Sequence, residues 1–405
     1  MAWAIGFLLL VAAAESVHAQ TFRVLYSFTG MEGNNPPGPL VRDEAGNFYG
    51  TGGGGAGTVL KLSLGKNGAW TETVLYRFQG APNAAGPVGR LVLDSEGNFY
   101  GTTLNGGPAN AGTVYKLTKG GKLTVLYSFC SVANCADGVQ PNGGLVRDAA
   151  GNLYGTTALG GNAGECCGTV FKLDTSGNET VLYKFCSIAN CADGSFPIGG
   201  GGFFFDETLV LDAAGNLYGT TPTGGDSPGC GETGCGVAYK VDAAGNETVL
   251  YNFCMEAKCA DGSYPAVGLA QDTAGNLYGT TLVGGEHNYG GVFKVDATGA
   301  ETVLYSFPRP LPLSEAYASS LIKDAAGNLY GTTESLGTFH EGMVFEVTKA
   351  WRTRKLYSFK DGTDGAFPYS LVQDPAGNLY GTTNVGGNLS DCKGLGCGTF
   401  FELTP

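Results

Sequence analysis

Apolar and polar residues alternate along this chain in short runs, broken every few positions by Gly, Asn and Asp. The stretch from 144 to 185 shows the pattern. GLVRD (144–148) alternates and stops at Asp148, and NLYGTT (152–157) follows after a turn. GTVFKLD (168–174) and ETVLYKF (179–185) come next. A period of two, rich in β-branched and aromatic residues, predicts strands, here four in succession, A to D. The links DAAGN and DTSGNE predict a type I turn followed by a glycine at positive φ, with Asp148 capping the first from its side chain.

The A–B phrase recurs seven times, its first glycine being Gly46, Gly97, Gly151, Gly215, Gly275, Gly327 and Gly377. Spacings of 51, 54, 64, 60, 52 and 50 residues mark a solenoid, an array or a propeller. The ends decide between them. The chain opens on TFRVLYSF (21–28), a D strand with nothing before it, and stops at GTFFELTP (398–405), a C strand with no D after it. The orphan D completes the orphan A–B–C, pairing strands that an open array leaves as edges. The expectation is all-β: a seven-bladed β-propeller of four-stranded antiparallel blades, the N-terminal strand completing the last, with residues 20–405 as one domain. The Tyr of each phrase (Tyr154 in the third unit) and of each D strand (Tyr183) should pack blade against blade, each hydroxyl finding a polar partner. The Gly after the first Tyr should let neighbouring backbone approach. The seven turn Asp residues lack the spacing of a calcium loop and read as caps.

Charge narrows the partners. Net charge is −13, and no basic stripe occurs, so nucleic acid is excluded as a partner. The start, MAWAIGFLLLVAAAESVHAQ, carries an apolar core over 2–14 and a VHA before Gln20, which suits a signal peptide of residues 1–19. No basic residue precedes the core, so the signal is atypical or the true start lies upstream. A buried strand is the competing reading. No later segment is apolar enough to span a bilayer as a helix. A secreted, extracellular or cell-surface protein is expected, or a periplasmic one.

Twelve cysteines fit that expectation. Five pairs share one spacing: Cys130/Cys135, Cys186/Cys191, Cys230/Cys235, Cys254/Cys259 and Cys392/Cys397. Cys166 and Cys167 are adjacent. Zinc is the rival reading, but no His lies beside a Cys pair, and disulfides within each pair are expected. Cross-links between B–C and D–A loops remain the alternative. No metal and no cofactor is expected.

The run DAAGNLYGTT…GG…GTVFKLD…GNETVLYSF resembles the GloVer-type tandem repeat of bacterial choice-of-anchor proteins, named for Gloeobacter and Verrucomicrobia. The resemblance runs through all seven copies. It implies a bacterial surface or secreted protein and brings no catalytic residues. Members often carry an anchor segment after the repeats; this sequence stops at Pro405 inside the last blade, so release, or attachment through a partner, is expected.

In a propeller, A–B and C–D links share one face, and B–C and D–A links the other. The first set is short and uniform here; the second is long, varied and holds every cysteine. Variable loops on a rigid scaffold are where binding evolves. On that face, FPIGGGGFFFDETLV (196–210) occurs only in the fourth unit. Its Phe203, Phe204 and Phe205 either reach a ligand or extend an A strand as core. DGSFP, DGSYP and DGAFP place Phe196, Tyr264 and Phe367 just before A strands, with Asp193, Asp261 and Asp364 in turns or in a ring at the channel mouth. The expected role is a binding scaffold, acting as a monomer, that recognises a glycan or a protein through this disulfide-braced face. The alternative is a propeller lyase or hydrolase, for which His287 with Glu286 and His340 with Glu341, in B–C loops of the fifth and sixth units, are the candidates.

Overall fold

The computed structural model describes residues 20–30, 38–53, 55–161, 167–197, 208–266, 268–309, 318–360 and 362–405. Residues 1–19, expected to be a signal peptide, Cys166 and Phe203–Phe205 lie outside them. Seven antiparallel sheets follow one another along the chain, each with strands in the order A–B–C–D. In the third blade these are Val146–Arg147, Leu153–Thr157, Thr169–Leu173 and Glu179–Lys184. The seventh takes its A, B and C strands from Ala366–Gln373, Leu379–Val385 and Thr399–Thr404, and its D strand from Thr21–Ser27 at the other end of the chain. Thr21 lies opposite Thr404 and Ser27 opposite Thr399. The protein is a seven-bladed β-propeller closed by its N-terminal strand.

The repeated phrase does more than turn the chain. Asp148 Oδ1 accepts from the Asn152 amide N–H at 2.8 Å, and Oδ2 accepts from Asn152 Nδ2 at 2.7 Å and from the Tyr154 hydroxyl at 3.0 Å. Burial raises the Asp148 pKa, but these bonds outweigh it and hold the carboxyl below its ordinary value. The same Asp–Tyr bond recurs at the other six turns, as in Asp43–Tyr49 and Asp272–Tyr278.

Neighbouring backbone does approach at Gly381, where a Cβ would sit 2.3 Å from Ser370 O, but Gly155 shows a second reason for the glycine. A Cβ there would sit 2.8 Å from Cζ of Phe171, the residue opposite it on strand C. The glycine therefore makes room for its own blade's ring, and the pairing repeats as Gly219 with Tyr239 and Gly279 with Phe293. That ring in turn meets the D-strand Phe of the preceding blade: Phe129–Phe171 at 5.0 Å, Phe185–Tyr239 at 4.9 Å and Phe253–Phe293 at 4.9 Å, all edge-on. Each seam thus holds an apolar cluster drawn from two blades, as in Tyr100, Phe129, Leu145 and Phe171.

The A strands lie on the inside. Where two of them meet, a Cβ on Gly89 would fall 2.5 Å from the Gly144 nitrogen. Several A strands are only two residues long. The D strands are the outer ones, and in Leu123–Ser128 and Glu179–Lys184 every residue is exposed or half-buried.

Candidate functional site

All ten cysteines of the five CxxxxC pairs are bridged within their own pair, and they stand on the B–C and D–A face. Cys167 is also in a disulfide. The bridges are not scattered. The sulfurs of Cys230, Cys235, Cys254 and Cys259 lie within 4.8 Å of one another, as do those of Cys167, Cys186 and Cys191. A B–C loop bridge therefore rests against the D–A loop bridge that follows it. As disulfides these sulfurs hold no thiolate for a metal.

Some of the bridges reach from the loops into the core. Cys397 is only 1% exposed, and Cys235 and Cys254 are buried as well. Cys397 packs with Phe28, Leu40, Phe48 and Phe400, where the seventh blade meets the first. The cause is its position. It stands two residues before strand C begins at Thr399, and Gly398 between them already accepts from the Phe28 N–H at 3.0 Å. The chain has therefore re-entered the core by Cys397, while its partner Cys392 stays half-buried on the loop. The Cys392–Cys397 bridge is an anchor from loop to core, and Cys397 offers no surface to a ligand.

Behind the bridges sit the aspartates. Asp193 Oδ2 accepts from the Tyr183 hydroxyl and the Ser187 N–H, both at 2.8 Å, and Oδ1 from the Ile188 N–H at 3.3 Å. Asp261 holds Tyr251 and Met255 in the same way, and Asp364 holds Tyr357 and Lys360. Asp193 and Asp261 are fully buried. Of the two readings, turn or ring, the structure gives the turn: Asp193 and Asp261 are buried and brace their loops, and Asp364 does so half-buried. Asp137, on Tyr127 and Ser131, does the same work and was not singled out from the sequence, although it stands in the same CADG run.

The aromatic half of the ring is presented outward. Phe196, Tyr264 and Phe367 are half-exposed and have φ of 53°, 55° and 55°. A left-handed backbone is costly for a large side chain, and more so for one placed before Pro. In the second blade Gly86 fills the equivalent place at φ 66°, and in the third Gln140 does at 55°. The conformation is held by one bond across each seam. The N–H of Phe196 donates to Cys167 O, that of Tyr264 to Cys235 O and that of Phe367 to Glu341 O, each at 2.9 Å. The aromatic–Pro pair after Asp-Gly was the available sequence signal.

Two clefts open beside these positions. One of about 690 Å³ is lined by Phe196, Asn190, Ser195, Thr223, Asp226, Ser227 and Thr233. The other, about 710 Å³, is lined by Gln140, Asn110, Asn134 and the Cys130–Cys135 loop. A third, about 450 Å³, lies at the seam of the fifth and sixth blades and takes in His340. His287, Glu286 and Glu341 do not line it. Glu286 and His287 are exposed on their own loop, so the structure does not gather the four residues proposed for catalysis into one cleft.

A family model described as Gloeobacter/Verrucomicrobia repeat matches residues 15–209 and 133–315. The chain belongs to this repeat family. No curated protein matches the chain. Among solved structures, this member of the family is similar to virginiamycin B lyase from Staphylococcus aureus, at 13% identity and TM-score 0.57, over 95% of this chain and 99% of that one. It is also similar to the extracellular domain of a putative hybrid two-component system from B. thetaiotaomicron, at 14% identity and TM-score 0.56, over 96% of this chain and 42% of that one. PorZ, a surface component of the type-IX secretion system of Porphyromonas gingivalis, follows at 16% and 0.50, over 90% and 47%. At such identities the likeness shows the fold of this Gloeobacter/Verrucomicrobia repeat protein. Among the described residues, no helix is long and apolar enough to cross a membrane.

Proposed function

We infer that this protein is an extracellular scaffold that binds glycans on its B–C and D–A face, with the cleft beside Phe196 as the principal site. One observation carries the reading: an aromatic ring is kept, half-exposed, at a backbone position that favours glycine and that is glycine in the second blade. Strain of this kind, about 1–3 kcal/mol, persists where it serves a site. The surroundings suit a sugar. One flat apolar face is ringed by hydroxyl, amide and carboxylate groups from Asn190, Ser195, Thr223 and Asp226, the mixture that fixes a polyhydroxylated ligand. Adjacent disulfides order these loops beforehand, which lowers the entropy cost of binding. The disulfides and the extracellular and surface proteins of like fold support a location outside the cytoplasm, with residues 1–19 as the export signal.

The test is a glycan array on the purified protein, run oxidised and reduced, with Phe196→Ala beside it. Binding that disappears on reduction and in the variant is expected. Binding that survives both would place the ligand elsewhere, and an array blank in every state would refute the glycan reading and favour a protein partner.

A further inference from the structure

We propose that one outer edge of the A–B and C–D face, running from the sixth blade through the seventh and first to the second, docks on an anionic lipid surface. The C–D turns divide by charge. In the third, fourth and fifth blades each turn opens on an acid and closes on another: Asp174 and Glu179, Asp242 and Glu247, Asp296 and Glu301. In the sixth, first and second blades the turns read TKAWR (348–352), LGKNGA (64–69) and TKGGK (118–122), with five cations and no acid. Lys349, Arg352, Lys66, Lys119 and Lys122 are all exposed. Among the described residues none of the five forms an ion pair. No basic stripe shows along the sequence because these turns lie as far apart as 66 and 352; closure of the ring gathers them on one arc.

Two apolar tips stand among the cations. Leu64 is 58% exposed and Trp351 is 42% exposed. Trp351 takes a place that is glycine in each of the other five C–D turns. Its N–H donates to Thr348 O, as that of Gly177 donates to Asp174 O and that of Gly245 to Asp242 O. The five glycines have φ between 78° and 87°, and Trp351 has φ 59°, a conformation that costs a large side chain. Its ring centroid lies 6.1 Å from that of Tyr278, a contact that leaves much of the indole in solvent. The seventh blade, between the sixth and the first, has no C–D turn. Thr21 lies opposite Thr404 there, so whatever precedes Gln20 or follows Pro405 leaves the propeller within this arc. Residues 1–19, with their apolar core over 2–14, join the propeller at that point. Anionic headgroups attract Lys and Arg, and a Trp ring settles at headgroup level, one side apolar and the other wet. A soluble polyanion accounts for the cations but gives Leu64 nothing to do. The acidic turns of the third to fifth blades lie across the ring, and the exposed Glu44 and Glu96 stand on A–B turns nearer the axis, so the contact is edge-on.

The experiment is co-sedimentation with vesicles of equimolar phosphatidylglycerol and phosphatidylcholine, set against vesicles of phosphatidylcholine alone. The protein used begins at Gln20, since all seven blades lie within residues 20–405. Binding to the anionic vesicles should be about tenfold tighter than to the neutral ones, and should weaken as salt is added. The double variant Lys349→Gln, Arg352→Gln should weaken it about tenfold or more. Trp351→Gly, which restores the residue of the other turns, should weaken it about fivefold while the protein stays folded. Lys258→Gln with Lys393→Gln, which removes the same charge from the opposite face, should leave it unchanged. Equal binding to both vesicles, no binding to either, or full binding by the double variant overturns the proposal. Release from the vesicles by a soluble acidic polysaccharide, with no loss in Trp351→Gly, also overturns it and gives the arc to a soluble polyanion. Phe196→Ala should bind the vesicles as the unaltered protein does, so failure here is distinguishable from failure of the glycan reading.

Discussion

Replacing Phe196 separates a side chain kept for binding from one kept for packing. The ring is half-exposed, so deleting it removes about 1 kcal/mol of burial, half of what a fully buried Phe contributes. Its φ of 53° costs a non-glycine residue about 1–2 kcal/mol. Glycine relieves that cost and adds about 0.5–1 kcal/mol of unfolded-state entropy. Phe196→Gly should therefore change stability by no more than about 1 kcal/mol. Phe196→Ala loses the ring and keeps the strain, and should be the less stable of the two by up to about 1 kcal/mol. The N–H bond from residue 196 to Cys167 O survives in both. Urea unfolding midpoints give the stabilities, and titration with a glycan found on the array gives the affinity. Both variants should lose about tenfold in affinity, the equivalent of one stacking contact near 1.4 kcal/mol. A Phe196→Gly protein destabilised by more than about 3 kcal/mol would show that the ring is core. Retained affinity would refute the binding role directly.

Other expectations follow from the same structure. Asp148→Ala strips three hydrogen bonds from one turn and should cost about 2–3 kcal/mol in thermal unfolding, against about 1 for Tyr154→Phe. Reducing the disulfides should lower the unfolding midpoint in steps, each six-residue loop contributing about 2 kcal/mol by chain entropy, while the propeller persists by circular dichroism. Burial, reinforced by the facing Asp137, Asp193 and Asp261, raises the carboxyls of Glu179, Glu247 and Glu301 from 4.5 to about 7, 7 and 8. The folded state holds these protons more tightly than the unfolded one, so the stability they lend is full below about pH 4.5 and is lost as pH rises through 7–8. The turn aspartates, held low, act only at more acidic pH and leave this window flat. The triple variant Glu179→Gln, Glu247→Gln, Glu301→Gln should flatten the decline in melting temperature between pH 5 and 9; an unaltered slope would show that other groups set it.

The blade and the ring were legible because their signals are local or terminal. Alternation in ETVLYKF, the turn in DAAGN and the orphan strands at 21–28 and 398–405 require no knowledge of the neighbouring blade. The cap role of Asp148 was legible too, but its bond to Tyr154 six residues on depends on how the B strand leaves the turn. What crosses a seam was hidden. Gly155 was read as room for a neighbour, whereas register across strands B and C gives that room to Phe171. Asp193 was grouped with Phe196 because they are three residues apart, yet one is fully buried and the other half-exposed. The spacing of Cys392 and Cys397 announced their bridge, but not that Cys397 would lie in the core beside Phe28 from the far end of the chain. The contact of the Cys230–Cys235 bridge with Cys254–Cys259 joins a B–C loop to the following D–A loop, which only blade geometry brings together.

Closing the ring with strands from opposite ends of the chain makes the last blade depend on the longest-range pairing in the fold. Six blades are assembled from contiguous sequence, but the seventh waits for Thr399–Thr404 to meet Thr21–Ser27. Until then strand C of the last blade is a bare edge, and such edges pair with other chains. Pairing of such distant segments is a slow step in folding. A ring left open at this pair would expose that edge to other chains. The join itself has no privileged position in the sevenfold ring. Linking the present termini and reopening the chain in another D–A loop should give a circular permutant with the same seven blades and a different last blade to close.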